Sequence, residues 1–350
     1  MSSIVRFVVV TFLCMSCATV GARAPEVPPG LVAVSGGESV NLVEPGTGVV
    51  RSFPSGPVGR LFPAPGGIMF APDLVKGRTL VLDLRGPRVV EQLDAVTLPT
   101  FGGQDDRYVV ALDNVTLLSY PERTAIAKVD AEIERPWQVI VTEDGRTVFI
   151  LERRPGGEGG AVLTLVDLAL RKVAIRAAAP ADVRYMAFSQ TLGLLAVANR
   201  STGRVELLAP EALAPVFEVE VQGTPQDVGF SGDRLVVACS AQDGTGSLQS
   251  WRVKSGRKGF TLKKPTMIAL EGSPVRLALA PGGEWAAVGL EQGQLILADY
   301  SHEVVVRVVE LSSPPRDVVW CDPGLRAPLL PDWSDQGGGP EKVDLEGLAN

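Results

Sequence analysis

Histidine is almost absent from this chain: one residue, His302, in 350. A lone imidazole cannot form the His pairs and relays on which many metal sites and acid–base centres depend, and His302 reads as a surface turn residue. Cysteine is scarce too, at positions 14, 17, 239 and 321 only. Outside an N-terminal leader there is no C-x-x-C pair, so a structural zinc site has no ligand set. Cys239 and Cys321 fall in repeats that are not neighbours, too distant for a disulfide that needs Cα atoms within about 7 Å. Net charge is −7, with acidic residues scattered rather than clustered, so the basic footprint of a nucleic-acid surface is missing. No G-x-S-x-G elbow, Walker loop or Ser/His/Asp set occurs. Asp105-Asp106 lacks the D-x-D-x-D surroundings of a calcium cage. No cofactor and no metal are expected.

Long apolar runs are also lacking. The one candidate, Phe7 to Met15 after the single positive charge of Arg6, is far shorter than the roughly 20 residues a membrane helix requires. It has the size of a signal-peptide core, so residues 1–22 are expected to be an export signal. Ser16-Cys17-Ala18 resembles a lipoprotein cleavage site with Cys17 as the acylated residue, although Cys14 stands where Leu is usual. Ordinary cleavage after Val20-Gly21-Ala22 is the alternative, and a buried N-terminal strand is a third. Residues 23–30, rich in Pro and Gly, would serve as a linker. Residues 324–350 carry Pro, Gly and acidic residues without periodicity and are expected to be a disordered tail.

What the chain does have is a repeat. The clearest copy is Val183 to Leu213, where short alternating apolar runs are broken by the turn cluster Asn199-Arg200-Ser201-Thr202-Gly203. Five places after the opening residue of each copy stands an apolar or aromatic mark: Phe62, Phe101, Val141, Phe188, Phe230, Leu279 and Trp320. The opener is Pro at 57, 136, 225, 274 and 315, and Val at 183; Phe101 fits through its surroundings, with Val96 as opener. A spacing of roughly 40 to 50 residues with four strands per unit is that of β-propeller blades. The last mark has no second strand after it, while Leu31 to Val34, Ser39 to Val43 and Val49 to Phe53 precede the first mark without a first strand. Joined, they make one blade. The sequence therefore predicts an all-β fold over residues 31–323, a seven-bladed β-propeller with four-stranded antiparallel blades, its ring closed by a C-terminal strand on the N-terminal blade.

Leu195-Ala196-Val197-Ala198-Asn199 followed by Gly203-Arg204-Val205-Glu206-Leu207 resembles the YVTN-type, WD40-like bacterial propeller repeat. The resemblance implies architecture for most of residues 31–322. It is open as to function, because such propellers include scaffolds, binding proteins and a few enzymes. The enzymatic relatives, lactonases, streptogramin-type lyases and haem or quinone enzymes, lean on His, which this chain lacks. The triplets at Asn114 and Asn199 match a glycosylation acceptor, a coincidence in a chain that reads as bacterial.

In a propeller, the loop into each first strand and the turn between second and third strands line one end of the central channel. Four and three places before the marks stand Trp137-Gln138, Arg184-Tyr185, Gln226-Asp227, Val275-Arg276 and Arg316-Asp317, with Arg60 nearby. Arg suits carboxylate or phosphate recognition, and Trp and Tyr are interface anchors. Trp137, Arg184, Tyr185, Asp227, Arg276, Arg316 and Asp317 are thus the candidate binding residues. In the competing reading each Arg pairs with an Asp such as Asp227 or Asp317 and merely seals the channel. Two polar turns between second and third strands, 153–158 and 240–245, extend the same surface. The expectation is a non-catalytic, exported binding or scaffold propeller, periplasmic or outer-membrane, that presents this mouth to an envelope protein partner or a small anionic ligand. It would touch the membrane only through a lipid on Cys17. The alternative is a hydrolase or lyase acting on a small anion in the mouth.

Overall fold

The apolar runs form strands because their β-branched and small residues alternate between two faces, and both faces are covered by neighbouring sheets. The computed structural model describes residues 29–321, apart from 74, 87, 95–97, 102–106, 112–113, 154–159, 181, 257–258 and 282. Residues 1–22, read from sequence as an export signal with Cys17, and residues 324–350, read as a tail, lie outside the described residues. Seven antiparallel sheets are present, and each sequence mark falls in the first strand of its sheet. The unit read most clearly from sequence is the fifth blade, built of Val183–Ser189, Leu194–Asn199, Arg204–Ala209 and Ala214–Glu220.

Burial follows position in the blade. Leu194–Asn199 and Trp285–Leu290 are buried at every residue, whereas the outer strand Lys172–Ala178 alternates between exposed and half-buried. In the second strand of the fifth blade, Leu195 and Val197 pack toward the fourth blade while Leu194, Ala196 and Ala198 pack toward the sixth. The core is accordingly divided into seven clusters, one between each pair of adjacent blades, and the set closes on itself.

Ring closure is the joint of the two chain ends. Asp317–Cys321 pairs antiparallel with Leu31–Gly36, in the order that continues through Ser39–Val43 and Val50–Pro54. Val32 stands opposite Trp320, and Ser35 opposite Asp317. This pairing leaves no open edge on the first strand of the chain, the edge along which sheets otherwise aggregate. The seventh blade approaches the closing strand so closely that a Cβ on Gly289 would lie 2.7 Å from Pro315 and 2.9 Å from Val318. Only a residue without a side chain fits there.

Two features depart from the repeat as read in sequence. Strand bounds shift by one or two residues at several ends. In the sixth blade the third strand, Gly246–Gly256, is 11 residues long and outgrows its partner. Its first part pairs with Thr266–Leu270 and its last part with a separate short strand, Gly259–Leu262. The outer edge of this blade is therefore split.

Candidate functional site: the channel mouth

Strand direction fixes which residues share one end of the channel. Pro274, at the start of an innermost strand, stands opposite Leu290, which stands opposite Gln294. Trp285 stands opposite Asp299 at the other end. The start of each first strand and the turn between second and third strands thus share the mouth. His302, in the turn after Asp299, lies at the opposite end.

The first strands do not start regularly. In four blades the pairing slips by one residue: between Pro136 and Gln138, Val183 and Met186, Pro225 and Asp227, and Pro274 and Arg276. Bulges of this kind re-aim side chains at rims and active sites. Here they lie at Trp137, Arg184-Tyr185, Gln226 and Val275, at the mouth.

One register position ties blade to blade. Gln138 donates from Nε2 to Met186 O and accepts the Met186 N–H on Oε1, both at 2.8 Å. Asp227 Oδ2 accepts the N–H of Leu277, and Asp317 Oδ2 that of Leu61, each at 2.9 Å. Arg276, at the same position, donates from Nε to Asp317 Oδ1 at 2.6 Å and from Nη1 to Asp227 Oδ2 at 2.7 Å. Both carboxylates are buried. Burial works against the charge on Arg276, but the two carboxylates outweigh it and hold the guanidinium above its usual range. Burial raises the pKa of Asp227, while Arg276 and the N–H groups of Leu277 and Val228 oppose that rise. Arg276, Asp227 and Asp317 thus pair with one another across the sixth, seventh and first blades.

Arg60 is different. It enters from the loop before Phe62–Ala64, with its guanidinium carbon 5.1 Å from the ring centre of Trp137 and 5.8 Å from that of Tyr185. Its Nη2 is buried and makes no hydrogen bond, and neither does the buried Nε1 of Trp137. Burial, and then Arg276, lower the pKa of Arg60. On the same Trp137 ring lies Arg153, only 3.5 Å from the centre, and Arg276 lies 4.2 Å from Tyr185. Guanidinium groups and aromatic rings thus alternate across the mouth. Arg153 also has its pKa lowered, by burial first and Arg184 next. No ion pair joins Arg60 or Arg153 to a carboxylate among the described residues.

Arg153 also lines a cavity of about 590 Å³ with Glu132, Glu134, Glu152 and Arg176. Glu152 is fully engaged there, accepting from Thr164 at 2.6 Å, Arg176 at 2.9 Å and the Glu134 N–H at 3.2 Å.

Of the sequence-derived candidates, the structure brings together Trp137, Tyr185, Asp227, Arg276 and Asp317. Arg184 stays exposed, 3.9 Å from Asp182, and Arg316 is exposed with its backbone N–H bonded to Ser35 O. Two residues outside that set complete the arrangement. Arg60 falls one place after the register positions read as mouth residues, and Arg153 was visible only as the edge of a long turn. Among the described residues no group of His, Cys, Asp and Glu is placed to hold a metal ion. Cys239 and Cys321 are free and buried, and burial pushes both thiols up to about 12.

No family model matches the chain, and no curated protein matches its sequence. Many solved structures share its fold. Hydrazine synthase of Kuenenia stuttgartiensis is similar at 13% identity and a TM-score of 0.60, over 76% of this chain and 90% of that one. A functionally unknown protein from Desulfotomaculum acetoxidans DSM 771 is similar at 11% identity and a TM-score of 0.63, over 84% of this chain and 99% of that one. At such identities the likeness is one of fold.

Proposed function

We propose that this protein is a binding propeller whose channel mouth takes a small anion. The observation that carries the reading is Arg60: a guanidinium stacked on Trp137 and Tyr185 with a buried Nη2 that has no acceptor. A buried donor left without a partner costs about 1–3 kcal/mol, more for a charged group, and an anion in the mouth removes that cost. Stacking uses the face of a guanidinium and leaves its fork of N–H groups free for a carboxylate or phosphate. Arg276, by contrast, spends its donors on Asp227 and Asp317 and serves the scaffold.

Binding without chemistry fits the same residues. Asp227 and Asp317 are occupied by Arg276 and by backbone N–H groups, and the single imidazole lies at the far end of the channel. In this reading the protein is exported on its leader and held in the cell envelope by a lipid on Cys17.

Thermal unfolding of the full chain with acetate, succinate and phosphate tests the anion site. Wild type should gain stability with anion concentration and Arg60→Gln should gain less at each concentration, by the linkage between binding and folding. Equal responses in both proteins would overturn the reading. For the anchor, Cys17→Ala should release the protein from the host membrane fraction; unchanged retention with intact leader cleavage would remove Cys17 from the proposal.

A further inference from the structure

Two unpaired cations, rather than one, stand against Trp137. Arg60 and Arg153 lie 5.1 and 3.5 Å from the centre of the same indole, so their guanidinium carbons are separated by no more than those two distances laid end to end. Neither has a carboxylate bonded to it among the described residues. Arg60 adds its buried Nη2, and Trp137 its buried Nε1–H, as donors without acceptors.

The charges around the two fall into two groups: Arg276, Asp227 and Asp317 act on Arg60, and Arg184, Arg200 and Asp182 act on Arg153, with Glu132, Glu134, Glu152 and Arg176 on the cavity wall beyond it. Asp227 and Asp317 belong to Arg276, and Asp182 is shared between Arg184 and Arg200 at 3.9 and 3.7 Å. Arg60 and Arg153 are what remains. A compact anion meets one of them. Meeting both, across one ring, takes two negative groups on a short spacer.

We infer that the mouth recognises a short dicarboxylate, one carboxylate held by Arg60 and the Trp137 N–H, the other by Arg153. The inference rests on the anion-binding reading above and narrows it to a ligand class. Trp137 is the platform that sets the spacing, since both guanidinium groups are held against it. Beside Arg153 lies the cavity whose wall carries Glu132, Glu134 and Glu152 together with Arg176. Glu132 and Glu134, on the wall of that cavity, limit the negative end to the edge of Arg153. A longer chain would carry its second charge toward those glutamates, where like charge repels it.

Titration calorimetry on the full chain at low ionic strength, with succinate, acetate and inorganic phosphate as probes, tests this. Succinate should bind about tenfold or more tightly than acetate, the scale of one added charge-assisted contact. Arg60→Gln and Arg153→Gln should each weaken succinate by about tenfold, whereas acetate should weaken in Arg60→Gln alone. Arg60→Lys keeps the charge without the fork and should fall between wild type and Arg60→Gln, so the site can be read even if Arg60→Gln folds poorly. Succinate no tighter than acetate, or phosphate the tightest of the three, would overturn the dicarboxylate while leaving an anion site in place. No binding of any probe would sink both.

Discussion

Arg276 Nε lies 2.6 Å from Asp317 Oδ1, joining the first strand of the seventh blade to the last strand of the chain. The same guanidinium reaches Asp227 of the sixth blade, so one side chain spans three consecutive blades of the ring. Side-chain exposure is 13% for Arg276 and 4% for each carboxylate. Arg276→Met should leave two buried carboxylates without their cation and destabilise the protein by about 3 kcal/mol or more. The triple variant with Asp227→Asn and Asp317→Asn should lose less, because no uncompensated charge stays buried. Urea unfolding of the two variants measures the difference; a triple variant weaker than Arg276→Met would contradict it.

Closure depends on packing as well as charge. Trp320 is buried between the seventh and first blades, in a cluster with Val32, Ala287 and Leu297. Trp320→Ala should cost about 3–5 kcal/mol and free the closing strand first. Hydrogen exchange should then show Leu31–Gly36 and Asp317–Cys321 losing protection before the other blades. Uniform loss across the ring would mean that closure is not the joint it is taken to be.

How far these joints were legible in sequence differs by residue. The seven marks and the shared first blade could be read because strand periodicity and Pro openers are local signals. That the last strand of the chain completes the blade of the first three followed from counting strands. The split edge of the sixth blade was not legible, since nothing in residues 246–256 shows where one partner strand gives way to another. At the mouth, Trp137, Tyr185, Asp227, Arg276 and Asp317 were legible from register alone. Arg184 and Arg316 stand one place before Tyr185 and Asp317 and face solvent; a bulge lies at Arg184 and leaves no mark in the sequence, whereas the closing strand pairs without one. Arg60 sits one place off the pattern, and its importance comes from Trp137 and Tyr185 of two other blades.

The opposite end of the channel offers a titration. His302 Nδ1 lies 2.8 Å from Asp299 Oδ2. That hydrogen bond raises the pKa of His302 above its ordinary 6.5. For Asp299 burial pulls upward, but hydrogen bonds from His302, Ser301 and two backbone N–H groups outweigh it and hold the carboxyl below its ordinary 3.8. The contribution of the raised His is complete below pH 6.5 and fades as pH rises through its folded value. The contribution of the depressed Asp is complete above pH 3.8 and is lost as pH falls through its folded value. With one His in the chain, its ring proton resonance is assigned without labelling. The midpoint should lie above 6.5 and return toward it in Asp299→Asn. A wild-type midpoint at or below 6.5 would show that the pair does not form in solution.

Anion binding at the mouth is read most directly from the indole N–H of Trp137. The chain has five tryptophans, so nitrogen–proton spectra carry few indole signals, and Trp137→Phe assigns the relevant one. Its buried Nε1–H has no acceptor among the described residues, so an arriving carboxylate should shift it downfield. Titration with succinate should move that resonance saturably in wild type, and in Arg60→Gln only at about tenfold higher succinate. A Trp137 signal indifferent to succinate in wild type, or moving equally in both proteins, would contradict an anion site built on Arg60.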